Sequence, residues 1–287
     1  MSDAGSQRRR DNTPGAEPGA GPGAGGARGA QGEATKHEAF LRRFHAAHPG
    51  ITSAALARSS RLGRPGSDDS YGRLVAAVPR DARVLDLGCG DTYLVSRLGP
   101  RAIGLDLAPS RSPGGGGAAI VQGRAQALPF ADRSFDACVC HLAFMLFDDV
   151  PRVVSELRRV VVPGGVFAAV LGGGPTAGGA EGEADDAFHR FLAKATPQGG
   201  GFGDRRARSE PGWRELFAQG DVPGGPRFER FELDLSGPFD DVWAFLGASY
   251  QLSDGDAPAI RARLSAAYAD RAVVPCRVVM WLATTRL

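Results

Sequence analysis

The residues best placed to do chemistry are two acids in two short apolar runs. The first run, Val84–Asp91 (VLDLGCGD), carries Asp86 and then Gly88 and Gly90 on either side of Cys89. A buried strand that breaks into such a glycine turn and feeds a helix brings backbone N–H groups close to a ligand. The second run, Ala102–Leu107 (AIGLDL), holds Asp106 near its end. A carboxylate at the carboxyl end of a second strand accepts both hydroxyl protons of a ribose. Together these segments describe a mononucleotide-type half site, and two ligand classes fit it. A nicotinamide dinucleotide asks for GxGxxG, but Tyr93 stands where the third glycine would pack beneath the pyrophosphate. Asp86, just before Gly88, would repel a pyrophosphate and attract an ammonium group. S-adenosylmethionine carries an ammonium and a sulfonium and no phosphate, so the electrostatics favour it.

The elements that must position these residues alternate along the chain. Arg83–Leu87 reads as a strand and Thr92–Leu98 as a helix capped by Asp91 or Thr92. Strands follow at Ile103–Leu107, Ala118–Gln122, Phe135–Cys140 and Val166–Leu171, the last preceded by a helix over Val150–Val161 that Asp148 or Asp149 starts. Short apolar strands separated by helices predict an α/β, doubly wound, mostly parallel sheet covered on both faces. Arg227–Leu235 and Cys276–Thr284 read as two further strands. Helices are expected at Ala187–Ala195, Trp213–Gln219, Asp240–Leu252 and Pro258–Asp270.

Upstream, residues 1–34 contain no Leu, Ile, Val or Phe and are expected to be a disordered Gly/Ala/Pro-rich tail. Its Arg8, Arg9, Arg10 and Arg28 are balanced by Asp3, Asp11, Glu17 and Glu33. Residues 35–80 read as a helical lid, with Phe40, Leu41, Phe44 and Ala47 on one face of its first helix. The catalytic domain is then expected over 81–287, with cap insertions near 173–226 and 237–273.

The chain has 287 residues, 43% of them hydrophobic, enough for one well-cored domain with additions. A net charge of +2 argues against a nucleic-acid partner. No apolar run approaches the roughly 18 residues a membrane helix needs, and no signal-peptide core is present. The 4 cysteines, Cys89, Cys138, Cys140 and Cys276, lie in or beside apolar runs without a CxxC pair. They read as buried free thiols in a reducing cytoplasm.

The ordered set of motifs resembles class I S-adenosylmethionine-dependent methyltransferases, in particular the small-molecule group with the type 11 domain. VLDLGCG resembles the family's first motif and AIGLDLAPS its second. VQGRAQALPFADRSFDACVCHLAF is similar to the stretch through the third and fourth strands, and ELRRVVVPGG to the helix and turn before the fifth. The resemblance covers Tyr71 to Leu171 strongly and the rest to Leu287 more loosely. It implies a seven-stranded Rossmann-like methyltransferase fold that binds S-adenosylmethionine. On that resemblance Asp86, Gly88, Cys89 and Gly90 hold the methionine part, and Asp106 takes the ribose hydroxyls. Leu107 packs on adenine, Ala125 and Gln126 lie beside its edge, and Cys140 and His141 face the sulfonium. Two residues depart from the pattern. Thr92 replaces the family's third motif-one glycine. Arg124 stands where the family often has an acid for the adenine amino group, which leaves Gln126 or a backbone carbonyl as acceptor.

The expected reaction is in-line methyl transfer to a small organic acceptor, most readily at oxygen. His141 is the candidate general base, and a pocket-shaping role is its alternative. His45 and His48 on the lid helix are lesser candidates for the general base and read more readily as surface histidines. Asp148 and Asp149 read as helix-capping acids rather than metal ligands, so no metal is expected. Trp243, Phe245 and Tyr250 line an acceptor pocket or belong to the core. A cofactor-binding protein without methyl transfer, as a partner subunit or a non-redox cyclase, is the alternative function. An RNA or protein methyltransferase is disfavoured, because CHLAF stands where an amino-methylating NPPY motif would be. Oligomeric state is left open.

Overall fold

The computed structural model describes residues 35–61, 69–110, 117, 119–175, 185–192, 203–218, 225–247, 249, 252 and 256–287. The tail expected over 1–34 and much of the loops between 176 and 202 lie outside them.

The central sheet has 7 strands in the order β3-β2-β1-β4-β5-β7-β6. These are β1 Val84–Leu87, β2 Ala102–Asp106, β3 Ala119–Gln122, β4 Phe135–His141, β5 Val161–Pro175, β6 Arg227–Asp234 and β7 Arg277–Arg286. The first five are mutually parallel, and β7 runs antiparallel to both β5 and β6. The helices are α1 Lys36–Ala47, α2 Ile51–Arg61, α3 Ser70–Ala76, α4 Tyr93–Leu98, α5 Val150–Val160, α6 Ala187–Leu192, α7 Glu210–Leu216, α8 Phe239–Leu246 and α9 Ala257–Ala267. The expected doubly wound architecture is therefore present. Along each central strand successive side chains enter two different cores, because strand side chains alternate between faces. Val84, Ala137, Val139, Ala168 and Val170 join Leu74, Leu94 and Val95 on one side. Leu85, Leu87, Cys138, Cys140, Phe167 and Ala169 join Val153, Leu157 and Trp213 on the other. The order reverses between β2 and β4 on either side of β1, which opens a crevice beyond the strand ends where ligands bind in such sheets.

Several boundaries differ from expectation for physical reasons. β5 begins at Val161, directly after α5, because Val161 pairs with Phe135 before the register shifts. Helix α5 has Asp149 at its N-cap, but the residue is left-handed (φ 47°) and its side chain makes no capping bond. The capping role expected of that acid is not realised, and Asp148 instead accepts from the Thr35 hydroxyl at 2.5 Å. Helix α1 buries Glu38 and Leu41, whereas Phe40 and Phe44 are half-buried and Ala47 is exposed. At α4, Thr92 occupies the N-cap with φ 70° and no side-chain capping bond. Asp91 Oδ1 accepts weakly from the Tyr93 N–H at 3.3 Å. Thr92 thus holds the left-handed conformation for which glycine is the usual residue.

That conformation is unfavourable for a β-branched residue, and the buried Thr92 hydroxyl has no hydrogen-bond partner. Thr92→Gly removes both penalties and adds the smaller entropic cost of a glycine, so a net gain of about 1 kcal/mol is expected. A urea midpoint above that of the wild type supports this origin of strain, and a lower midpoint contradicts it.

Candidate active site

The carboxyl ends of β1, β2 and β4 meet at two adjoining cavities, of about 320 Å³ and about 60 Å³. Gly88, Asp106, Ala108, Ala143 and His45 belong to the walls of both.

Asp86 lines the larger cavity and is completely buried, and neither of its carboxylate oxygens has a hydrogen-bond partner. Burial, with Asp106 and Asp91 adding like charge, pushes its carboxyl well above the usual range. The ligand-free protein therefore holds the Asp86 proton to higher pH than an exposed carboxyl would. Such a group suits a cationic ligand that restores the charge and supplies donors. Gly88 has φ 77°, and a Cβ there would collide with that of Ala143. Gly90 has φ 53° and open space on its Cβ side. Asp106 holds this turn in place, with Oδ2 accepting from the Gly90 N–H at 3.0 Å and Oδ1 from the Ala108 N–H at 2.8 Å. It stands between the cavity that contains Asp86 and the one that contains Leu107, Ala125 and Gln126. That is the order of ammonium, ribose and base in an S-adenosyl ligand. Cys89 also lines the larger cavity.

Cys140 does not reach the site. It is fully buried in the opposite core with Leu85, Phe144 and Leu157, because strand alternation turns it away from its neighbour His141. His141 does line the larger cavity. Its Nε2 lies 3.0 Å from the Ser70 hydroxyl, and its ring stacks on Tyr71 at 3.9 Å and 11°. Burial pulls the imidazole down to about 3, against a smaller opposing pull from Asp69. A base so weak takes protons poorly from a hydroxyl.

Other wall residues are not marked by any spacing in the sequence. His45 is half-buried and lines both cavities rather than lying on the surface. Tyr71 and Asp91 line the larger cavity, where Asp91 accepts from the Ser53 hydroxyl of α2. Glu38 of α1 lines the smaller one. Of the late aromatics, Phe245 reaches the larger cavity with Phe188, while Trp243 packs against the core and Tyr250 lies outside the described residues. Arg124 points to Glu38 rather than into either cavity, with Nη2–Oε1 at 2.8 Å. Among the described residues no group of three His, Cys, Asp or Glu side chains is arranged to hold a metal. No described helix is long and apolar enough to cross a membrane.

Fold and site together define a doubly wound, Rossmann-like domain with a ligand cavity at the reversal of its strand order. Residues 85–169 of the chain match the methyltransferase domain family. One relative, the malonyl-acyl-carrier-protein O-methyltransferase of Methylococcus capsulatus, is 38% identical over 102 residues, which cover 31% of this chain and 37% of that protein. A human mitochondrial arginine hydroxylase is 31% identical over 108 residues, covering 34% of this chain and 31% of its own. This chain thus spans only about a third of either relative's length. A solved structure from Anabaena variabilis, assigned to the methyltransferases of an antibiotic biosynthesis pathway, superposes with a TM-score of 0.50 at 12% identity. It covers 76% of this chain and 96% of that one. The likeness is one of fold.

The orphaned carboxyl gives a pH signature with a definite sign. The folded protein keeps the Asp86 proton to higher pH than the unfolded chain does. Stability of the ligand-free protein therefore falls as pH rises from the ordinary carboxylate range toward the raised value of Asp86. Asp86→Asn removes this loss, worth about 1.4 kcal/mol for each unit of upward shift. Urea midpoints at about pH 4 and about pH 7 should show the variant gaining on the wild type as pH rises. A variant that loses ground at neutral pH would mean that Asp86 is already ionised and paired.

Proposed function

We propose that this protein transfers a methyl group from S-adenosylmethionine to an oxygen of a small, largely apolar acceptor. The observation that carries the reading is the buried, unpartnered Asp86 carboxyl facing the cavity beside the Gly88–Gly90 turn. When bound, S-adenosylmethionine supplies an electrophilic methyl that an acceptor oxygen takes by in-line displacement. The chain's own residues bind, orient and exclude water. Asp86 receives the ammonium group, Asp106 the ribose hydroxyls, and Leu107 and Ala125 the faces of the base. Gly88, with its positive φ, leaves room for the Ala143 side chain that a Cβ would strike, and so keeps the turn at the cavity wall. Helices α1 and α2 contribute His45, Ile51, Ser53 and Leu56 to the wall of the larger cavity, and so serve as a lid.

Beyond the turn, the larger cavity is walled by Met145, Phe188, Phe245, Val278 and Met280, a lining suited to an apolar acceptor. His141 stands here as a neutral group fixed by Ser70 and Tyr71. With an imidazole held near 3, the site favours an acceptor oxygen that is already acidic, such as a carboxylate, over an alcohol that needs a strong base. The O-methyltransferase relative is consistent with oxygen as the atom methylated. Neither departure from the family's motifs closes the site: Thr92 keeps the left-handed turn, and Arg124 lies outside the cavities. The small net charge of +2 supports a small molecule over a nucleic acid, and 4 free thiols support a cytoplasmic setting.

Calorimetric titration tests the cofactor reading. S-adenosylmethionine and its demethylated product should bind, NAD should not, and Asp106→Ala should weaken binding by about 10-fold or more. Binding of NAD alone would overturn it. Once a labelled-methyl screen identifies an acceptor, the pH profile of kcat/KM tests the role of His141. No inflection that disappears in His141→Gln is expected near pH 6 to 7. An inflection there that the variant abolishes would make His141 the base after all.

A further inference from the structure

The smaller cavity contains a residue that no family motif marks. Glu38 lies in the first turn of α1, far in sequence from the strands that build the site, yet only 4% of its side chain is exposed. It lines the cavity that also holds Leu107, Ala125 and Gln126. Oε1 accepts from Arg124, with Nε at 3.0 Å and Nη2 at 2.8 Å. Oε2 is buried and has no hydrogen-bond partner. A buried acceptor left open in the wall of a ligand cavity calls for a ligand donor.

The placement of Glu38 is fixed from several sides. Thr35 caps α1 by accepting the Glu38 N–H at 3.1 Å and donates its own hydroxyl to Asp148 at 2.5 Å. His37 Nε2 lies 2.7 Å from the Leu146 carbonyl oxygen. Gln126 donates its amide to the Asp148 carbonyl at 2.6 Å, so its donor end is turned toward the cavity wall. Arg124, a cation where a carboxylate would otherwise reach the base, is the group that draws Glu38 in.

We propose that Glu38 is the adenine-recognition residue of this site, its Oε2 accepting from the 6-amino group of the cofactor's base. The proposal rests on the cofactor reading above. The acid missing from the loop after β3 is thereby supplied by the lid helix, and Arg124 holds it through an ion pair of reversed polarity. Recognition of the base and docking of α1 are then one event, since the same carboxylate joins both. A ligand with a 6-oxo base presents an acceptor to this carboxylate and is repelled.

The test is calorimetric titration of the full chain with S-adenosylhomocysteine and with S-inosylhomocysteine, its 6-oxo counterpart. Wild type should prefer the adenine ligand by at least about 10-fold, the scale of one lost charge-assisted hydrogen bond. In Glu38→Gln the preference should shrink to within about threefold, because the new amide can donate to the 6-oxo group. Arg124→Met should weaken both ligands while keeping the wild-type preference, which separates recognition by Glu38 from its role in anchoring α1. Retention of the full preference in Glu38→Gln overturns the proposal, as does its loss in Arg124→Met. If wild type binds both ligands equally, the cofactor reading stands and the assignment of Glu38 falls. If it binds neither, both fall.

Discussion

A carboxyl group buried in a protein without a partner is a cost that most of this molecule avoids. Glu156 is buried too, but it accepts from the Leu128 N–H at 2.7 Å and from Arg159 at 2.7 Å. Asp186 accepts three backbone N–H groups, those of Phe188, His189 and Arg277. Asp86 alone among the buried aspartates and glutamates of the described residues has both oxygens unpartnered. It sits in β1, the strand between β2 and β4, where the sheet reverses its order and opens at its carboxyl end. What surrounds Asp86 makes sense as a means of delivering a cation to it. The turn that follows is cleared of side chains at Gly88, held by Asp106, and walled by helices from the start of the chain.

The same arrangement divides labour between rigid and attached parts. β1, β2 and β4 supply Asp86, Asp106 and His141 from a sheet whose two faces are both packed. Helices α1 and α2 bring Glu38, His45 and Ser53 over the strand ends through polar contacts at Asp148, Arg124 and Asp91. Polar contacts of this kind are individually modest and partly replaceable by water, whereas the sheet is held by apolar burial. Opening is therefore expected at the helices and not at the sheet.

How much of this was legible in the chain follows from which interactions are local. The strands, the glycine turn and both acids could be read directly, because apolar runs and turn residues act within a few positions. The left-handed Thr92 was marked only as a missing glycine. Cys140 faces the core and His141 the cavity, an assignment that strand alternation alone makes and that the motif resemblance overrides. Asp149 resembled a helix cap by position, but its left-handed backbone directs the carboxyl elsewhere. Glu38 carries no sign of a site role in the sequence and His45 only a weak one, since a polar residue on a short amphipathic helix has no local sign of burial. Only the docking of α1 against Leu146 and Asp148 brings them to the cavities.

The most direct measurement is infrared difference spectroscopy of the full chain with and without S-adenosylhomocysteine, repeated on Asp86→Asn. A protonated carboxylic acid present in the free protein should lose its carbonyl band on binding and gain carboxylate bands, and the variant should show neither change. If the free protein has no such band, or if the band survives saturation with the ligand, Asp86 is not the cation receptor and the site must be read anew.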